Sequence, residues 1–141
     1  MKKYILLTAL VFALMMTGCQ KQECLTESPI LEYTAWEGKL NVKDNNGVIQ
    51  YGVTLEFFQP IDEENDKGGD NMRSTINDGS NPYSRGARYW QNGLCVRVES
   101  SSGAFENGSY WITSYSGDKM VMEYVNNSKT ITLDLKLKSK I

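Results

Sequence analysis

The segment TITLDLKLK, Thr130 to Lys138, alternates apolar and polar residues without a break. Ile131, Leu133, Leu135 and Leu137 occupy every second position, and threonine, aspartate and lysine residues fill the positions between them. Successive side chains of a β-strand point to opposite faces, so this spacing predicts a strand with one buried and one solvated face.

The same period of two begins the domain. Between Tyr33 and Lys43, apolar positions such as Trp36 and Leu40 alternate with charged and amide residues. The four residues Asp44–Gly47 (DNNG) follow, and Asn and Gly tolerate the backbone angles of a tight turn. This order predicts a hairpin whose return strand runs from Val48 to Gln59.

The remaining chain predicts further short strands. They are expected at 72–76, 94–99, 110–115 and 119–125, with 83–90 as a loop-like stretch. In the segment 110–115, Tyr110 and Ile112 are expected on one face, and Trp111 and Tyr115 on the other. The sequence contains about eight such strands, and no segment after the N-terminus has apolar residues at helical spacing. We therefore predict an all-β antiparallel meander closing into a small barrel, or alternatively a β-sandwich. An eight-stranded barrel holds side chains or one small ligand.

The N-terminus has the layout of a secretory signal. Lys2 and Lys3 precede an apolar run from Ile5 to Met16, which ends at the small residues Thr17 and Gly18. The run is too short for a membrane-spanning helix, which needs about 20 apolar residues. We therefore predict a signal peptide over residues 1–18.

The tetrad Met16-Thr17-Gly18-Cys19 resembles the lipobox of bacterial lipoproteins. The resemblance implies cleavage after Gly18 and a diacylglycerol and fatty-acyl anchor on Cys19, hence membrane attachment in the cell envelope, on the periplasmic or outer face of the outer membrane. Residues 19–32 are then the lipidated cysteine and a polar spacer, and 33–141 a single domain.

Composition excludes several chemistries. The chain has no histidine, which removes Ser-His-Asp triads, Cys-His pairs and most zinc sites. Without Lys2 and Lys3 the mature chain has 13 basic and 17 acidic residues, a net charge of −4 that argues against nucleic acid. The acidic segment 60–71 could supply calcium ligands, but its spacing does not follow the EF-hand, so we predict a solvated loop with no metal or cofactor.

Two cysteines remain once Cys19 carries lipid. Cys95 falls in Leu94–Glu99, on the outward face of the predicted strand, and Cys24 lies in the spacer. The envelope is oxidising, so Cys24 and Cys95 are either a disulfide or two free thiols.

Two resemblances bear on function. The strand containing Trp36-Glu37-Gly38, the meander and the closing strand 130–138 resemble small lipocalin-like lipoproteins of Bacteroidetes, which implies a barrel with a ligand mouth and no reaction. Gly86-Ala87-Arg88-Tyr89 resembles the Ser-Gly-Ala-Arg-Tyr loop of membrane-bound lysozyme inhibitors, which implies inhibition of a hydrolase.

Candidate surface residues follow from these observations. Aromatic side chains could form a sugar platform, but most are expected in the core. The exceptions are Tyr83, Tyr89 and Trp90, which lie in the loop-like stretch, and loops tend to carry function. With Arg85 and Arg88 of the same stretch they form the candidate ligand or partner surface. We predict a non-catalytic module that binds a small ligand or a partner protein, with an inhibitor of the lysozyme-inhibitor type or a carboxylate hydrolase as alternatives.

Overall fold

The computed structural model describes residues 27–99 and 104–141. Residues 1–18, predicted as a signal peptide, and the cysteines Cys19 and Cys24 lie outside these ranges. Within them the chain forms eight strands: β1 Thr34–Asp44, β2 Gly47–Phe57, β3 Met72–Asn77, β4 Tyr83–Asn92, β5 Cys95–Glu99, β6 Gly108–Ser116, β7 Lys119–Val125 and β8 Lys129–Lys140. The described part of the chain contains no helix long and apolar enough to cross a membrane.

The strands form a closed antiparallel barrel in sequence order. Each strand pairs with the next, and β8 returns to pair with β1 from Thr34↔Lys140 to Asp44↔Lys129. The prediction of an antiparallel barrel is confirmed, and the sandwich alternative is not adopted. Closure joins the two strands with the clearest alternation, because both present a continuous apolar row to the same core.

The predicted turn between β1 and β2 forms as a two-residue hairpin loop. Asp44 and Gly47 are register partners, and the Asp44 carboxylate accepts a hydrogen bond from the backbone N–H of Asn46 at 2.8 Å. Gly47 has φ of 129°, a backbone angle that favours glycine. The loop chemistry read from the sequence therefore fixes the register of the first two strands.

Side chains fill the barrel interior. Trp36, Leu55, Ile112 and Leu133 are all buried, and inward residues of every strand join them in one core cluster. Phe105, from the connection between β5 and β6, closes one end and packs against Tyr110 with ring centres 5.1 Å apart. The interior is thus a packed core, the case in which a barrel of this size holds its own side chains.

A segment before β1 closes the opposite end. Leu31 is completely buried in the core, and the backbone N–H of Thr34 donates to its carbonyl at 3.1 Å. The Gln91 amide donates to the carbonyl of Pro29 at 2.7 Å, and the N–H of Ile141 donates to Tyr33 at 2.7 Å. The packed unit therefore begins before residue 33, within the stretch expected to be spacer.

The loop-like assignment of residues 83–90 is wrong. These residues form most of β4, which pairs with β3 over Tyr83–Ala87 and with β5 over Arg88–Asn92. Glycine and arginine at positions 85, 86 and 88 weakened the apolar alternation in the sequence. Pairing with two neighbours stabilises the strand regardless, since strand propensity depends strongly on context.

A β-bulge in β6 changes the expected orientation of Tyr115. Ile112 pairs with Met122, but the register shifts before Ser114, so Tyr115 then pairs with Met120. Met120 is buried, and Tyr115 packs partly buried against the core. Because the extra residue reverses the alternation, Tyr115 does not share the outward face of Trp111.

Candidate functional site

The five residues predicted as a surface divide between two sides of β4. Tyr83 and Tyr89 lie on the inward side, where Tyr83 packs against the core and Tyr89 is only 2% exposed. Arg88 and Trp90 lie on the outward side and are half-buried. Arg85 is exposed and is the register partner of Ser74, several residues from this pair. The structure therefore brings only Arg88 and Trp90 together on the surface.

Tyr89 is a core residue with a satisfied hydroxyl. Its ring meets Phe57 edge to face at 4.9 Å, and its hydroxyl donates to the carbonyl of Phe58 at 2.8 Å. Burial, with smaller contributions from Glu32 and Tyr33, raises the pKa of Tyr89 to about 12. A phenol in this position stabilises the fold and does not present a binding surface.

Two arginines cover Trp90 on the outer wall. The guanidinium carbon of Arg97 lies 4.2 Å from the centre of the Trp90 ring, and that of Arg88 lies 5.1 Å away. Trp90 and Arg97 are direct register partners across β4 and β5. We name Arg88, Trp90 and Arg97 the arginine–tryptophan cluster; cations at these distances are attracted to the ring face.

Neighbouring carboxylates hold both arginines. Arg97 lies 3.5 Å from Glu99, and Arg88 forms an ion pair with Asp66 of the loop between β2 and β3. The backbone N–H of Gly68, followed by Arg88, lowers the pKa of Asp66 below its ordinary value. The carboxylate of Asp66 therefore stays ionised and paired with Arg88 at neutral pH. This pairing was not predictable from local sequence patterns, because Asp66 and Arg88 are 22 residues apart.

Two cavities flank the segment before β1, at the end of the barrel that Leu31 closes. One, of about 300 Å³, lies between this segment and β4 and is edged by Tyr89 and Trp90. The other, of about 670 Å³, reaches Trp36, Tyr115 and Ile141. The predicted ligand mouth was an opening into the barrel, whereas these cavities lie beside the segment that closes it.

Carboxylates of the acidic loop 60–71 accept hydrogen bonds from groups of the same loop. The Asp62 carboxylate accepts hydrogen bonds from the Asn65 side-chain amide at 2.9 Å and from the backbone N–H of Glu64 at 3.1 Å, and these bonds lower the pKa of Asp62. Asp66 likewise accepts from the N–H of Gly68 at 2.8 Å. Over residues 27–99 and 104–141, no group of three or more acidic or cysteine side chains is arranged to hold a metal ion.

Sequence reasoning missed Trp111 as a surface residue. It is 56% exposed on the outer face of β6, while its neighbours Tyr110 and Ile112 are buried. The alternation of the segment 110–112 separated Trp111 from Tyr110 and Ile112 but did not say which face is covered, and the general expectation was that aromatic residues fill a β core.

Cys95 begins β5 on the same outer wall. It is half-buried and is the register partner of both Asn92 and Trp111. The outward orientation predicted for Cys95, Arg97 and Glu99 agrees with the alternating burial of β5. Cys24 lies outside the described residues, so the pairing of the two cysteines stays a prediction.

Comparison with known proteins finds no matching family model, no matching curated protein and no matching solved structure. Functional inference for this chain therefore begins from its own geometry: a filled barrel, two cavities at one end, and an outer wall of β4 to β7 that carries the arginine–tryptophan cluster and Trp111.

Proposed function

We propose that this protein is a cell-envelope lipoprotein, anchored through Cys19, that acts as a non-catalytic binding or accessory module. Its ligand or partner binds outside the barrel, on the outer wall of β4 to β7. The observation that carries this proposal is the filled interior, because buried Trp36, Leu55 and Leu133 occupy the space that an internal ligand would need. Binding then has to use the exterior.

The outer wall of β4 to β7 supports a binding role. Trp90 and Trp111 both lie there, with Arg88 and Arg97 beside the first of them. Tryptophan and arginine are enriched where proteins bind their partners. The wall thus concentrates the side chains that most often supply binding energy.

The polar residues of the core favour binding over hydrolysis. In the described ranges, the buried polar residues are Thr34, Asn71 and Ser74, and none is acidic. Glu56, an outward carboxylate of β2, lies 3.9 Å from Arg73 in a partly solvated ion pair. A carboxylate hydrolase pairs a buried general acid with a second carboxylate, and the core of the described ranges contains no buried carboxylate.

The lysozyme-inhibitor alternative loses support from the placement of its motif. In the lysozyme-inhibitor family, the residues that Gly86-Ala87-Arg88-Tyr89 resemble form a loop. Here the four residues lie inside β4, with Ala87 and Tyr89 buried. Of these four, only Gly86 and Arg88 face outward, so the motif has no loop with which to enter a cleft.

The segment before β1 gives the anchor a defined attachment point. Eight residue steps separate Cys19 from Glu27, a reach of at most about 28 Å. Since Pro29 and Leu31 are fixed at one end of the barrel, lipid on Cys19 would hold that end beside the membrane.

Metabolic labelling tests the anchor. We expect the full chain, expressed in bacteria fed an alkyne-bearing palmitate, to be labelled and recovered with membranes. Cys19→Ser should abolish both labelling and membrane recovery, whereas the matched variant Cys24→Ser should retain them. An unlabelled wild-type chain, or equal labelling of both variants, would contradict the lipoprotein proposal.

Site-specific crosslinking tests the binding surface. A photoreactive residue at Arg97, on the proposed wall, should give a discrete adduct in cells. The same residue at Lys39, an exposed position of β1 opposite β5 in the closed barrel, should give none. Adducts of equal yield at both positions, or none from either, would contradict binding on this wall.

A further inference from the structure

The two outward tryptophans of the wall, Trp90 and Trp111, differ in how much of each ring is covered by other side chains. Arg88 and Arg97 cover Trp90, which is half-buried. Trp111 has no such cover and is 56% exposed. Leaving a large apolar ring in water costs free energy, and the two arginines reduce that cost at Trp90. The face of Trp111 has no such cover and is therefore open to a ligand.

A groove surrounds the open ring. Its volume is about 580 Å³, and it is lined by Ser109, Trp111, Thr113, Glu123, Tyr124 and Val125. Glu123 is the direct register partner of Trp111 across β6 and β7, so its carboxylate starts beside the ring. Val125, 61% exposed, adds a second apolar surface to the groove.

The polar groups of the groove include hydroxyls and one carboxylate. Ser109 and Thr113 offer hydroxyls that donate and accept, and Glu123 offers a carboxylate that accepts strong hydrogen bonds. The lining contains no cation. Arg97, the register partner of Ser109, is turned to Trp90 at 4.2 Å and to Glu99 at 3.5 Å. With a carboxylate and no cation in its lining, the groove disfavours an anionic ligand and suits one rich in hydroxyl donors.

We propose that this groove binds a neutral glycan. The apolar C–H face of one sugar ring stacks on the indole of Trp111, and hydroxyls at the edge of that ring donate to Glu123 and exchange hydrogen bonds with Ser109 and Thr113. An aromatic face with a few directed polar groups is the usual composition of a small-ligand site. The site is non-catalytic, so no bond changes.

Two other occupants fit less well. A peptide that adds a strand to the sheet would need an unpaired strand edge, but around Trp111 the strand β6 is paired on both sides, with Cys95 of β5 and Glu123 of β7. A stable protein interface buries about 1,200–2,000 Å² around an apolar centre, and the exposed apolar surface here is one indole with Val125 beside it. A single sugar ring matches that size.

This inference rests on the proposed binding role, since it names the ligand class of the same outer wall, but it does not depend on the lipid anchor. Failure of palmitate labelling would remove the anchor and leave the glycan site. Failure of glycan binding would remove this site and leave both the anchor and the crosslinking test of the wall.

The test uses the full chain, purified in detergent, on an array of neutral and acidic glycans, followed by titration calorimetry with the neutral oligosaccharide that gives the strongest signal. We expect Trp111→Ala to weaken that binding at least about tenfold and Glu123→Gln to weaken it by a smaller factor. Trp111→Phe, which keeps an aromatic face, should retain most of the wild-type affinity. The matched control Ile49→Ala, a side chain of β2 that is 56% exposed and lies outside the wall of β4 to β7, should bind like the wild type.

Circular dichroism of each variant separates lost binding from lost folding, and Trp111→Phe keeps the test decisive if Trp111→Ala unfolds. The absence of binding to every neutral glycan would overturn the proposal. So would binding that Trp111→Ala leaves unchanged, or binding confined to acidic glycans. Adducts with a protein at the crosslinking site, without glycan binding, would assign the wall to a protein partner instead.

Discussion

The side chain of Asn71 pairs with both backbone groups of Tyr89. Its Oδ1 accepts from the N–H of Tyr89 at 2.7 Å, and its Nδ2 donates to the carbonyl of Tyr89 at 3.0 Å. The β3–β4 ladder ends at the pair Met72↔Ala87. The amide of Asn71 therefore extends that ladder by the equivalent of one residue, and it satisfies two backbone groups where β3 has already ended.

Replacing Asn71 by alanine should destabilise the protein by about 2 kcal/mol or more, because the N–H and carbonyl of Tyr89 would both be left buried without partners. The measurement is the free energy of unfolding in urea. Asn41→Ala is the control: the Oδ1 of Asn41 accepts from exposed Gln50, which can bond to water instead. A similar loss for both variants would contradict this reading of Asn71.

Gly38 permits the close approach of β1 and β8. A Cβ at this position would overlap the carbonyl oxygen of Asp134 on the facing strand. Gly38→Ala should therefore cost about 2–3 kcal/mol in the free energy of unfolding, since backbone atoms must move to admit the methyl group.

Gly69→Ala is the matched control for Gly38→Ala, because nothing lies within 4 Å of a Cβ built at Gly69. We expect this variant to stay within about 0.5 kcal/mol of the wild type. If both alanine variants unfold at the same urea concentration as the wild type, the pairing of β1 with β8 does not depend on Gly38.

Leu31 and Ile30 test whether the segment before β1 belongs to the folded unit. Leu31 is completely buried, whereas the adjacent Ile30 is 75% exposed. Leu31→Ala should lower the free energy of unfolding by about 2–5 kcal/mol, and Ile30→Ala should change it by less than about 0.5 kcal/mol. Equal effects of the two substitutions would show that the segment does not close the barrel in solution.

The burial of Tyr89 predicts a loss of stability at alkaline pH. Its pKa is raised from an ordinary 10 to about 12 in the folded protein. Below pH 10 the group is protonated in both states. Between pH 10 and 12 the unfolded chain releases the proton first and binds fewer protons, so the free energy of unfolding falls as pH rises. Burial also raises the pKa of Tyr110, which acts in the same direction.

Urea unfolding at intervals from pH 8 to pH 12 measures this dependence. Tyr89→Phe removes the ionisable group, so its free energy of unfolding should decline less steeply than that of the wild type between pH 10 and 12. Both proteins should behave alike with pH below 10, apart from the constant loss of the hydrogen bond to Phe58. Parallel curves across the whole range would rule out Tyr89 as the source.

A Cys24–Cys95 disulfide is one of the two states expected for these cysteines, and it can be tested directly. Ser28 and Gly93 line the same cavity, and Gly93 is two residues from Cys95. Four residue steps separate Cys24 from Ser28, a reach of about 14 Å. We expect non-reducing peptide mass spectrometry of protein from an oxidising compartment to find the linked peptides, and Cys95→Ser to leave Cys24 open to alkylation. Full alkylation of both thiols in the wild type would contradict the disulfide.

The alternation of residues was a sufficient guide where a strand has one apolar and one polar face. It predicted β1, β2 and β8 and the turn at Asp44–Gly47, and closure of the barrel follows because these strands meet. It failed at β4, where Arg85, Gly86 and Arg88 interrupt the pattern, since contacts with β3 and β5 stabilise that strand. The candidate surface was predicted only in part, at Arg88 and Trp90.

The sequence by itself determined an all-β chain with its strongest strands and tightest turns, because these depend on the side chains of neighbouring residues. Tertiary structure alone decided that Tyr89 points into the core while Trp90 points out, that a bulge turns Tyr115 inward, and that Leu31 closes one end. A period of two defines two faces but not which one is covered. That choice depends on contacts between residues far apart in the chain, as in the pairing of Asn71 with Tyr89 and of Asp66 with Arg88.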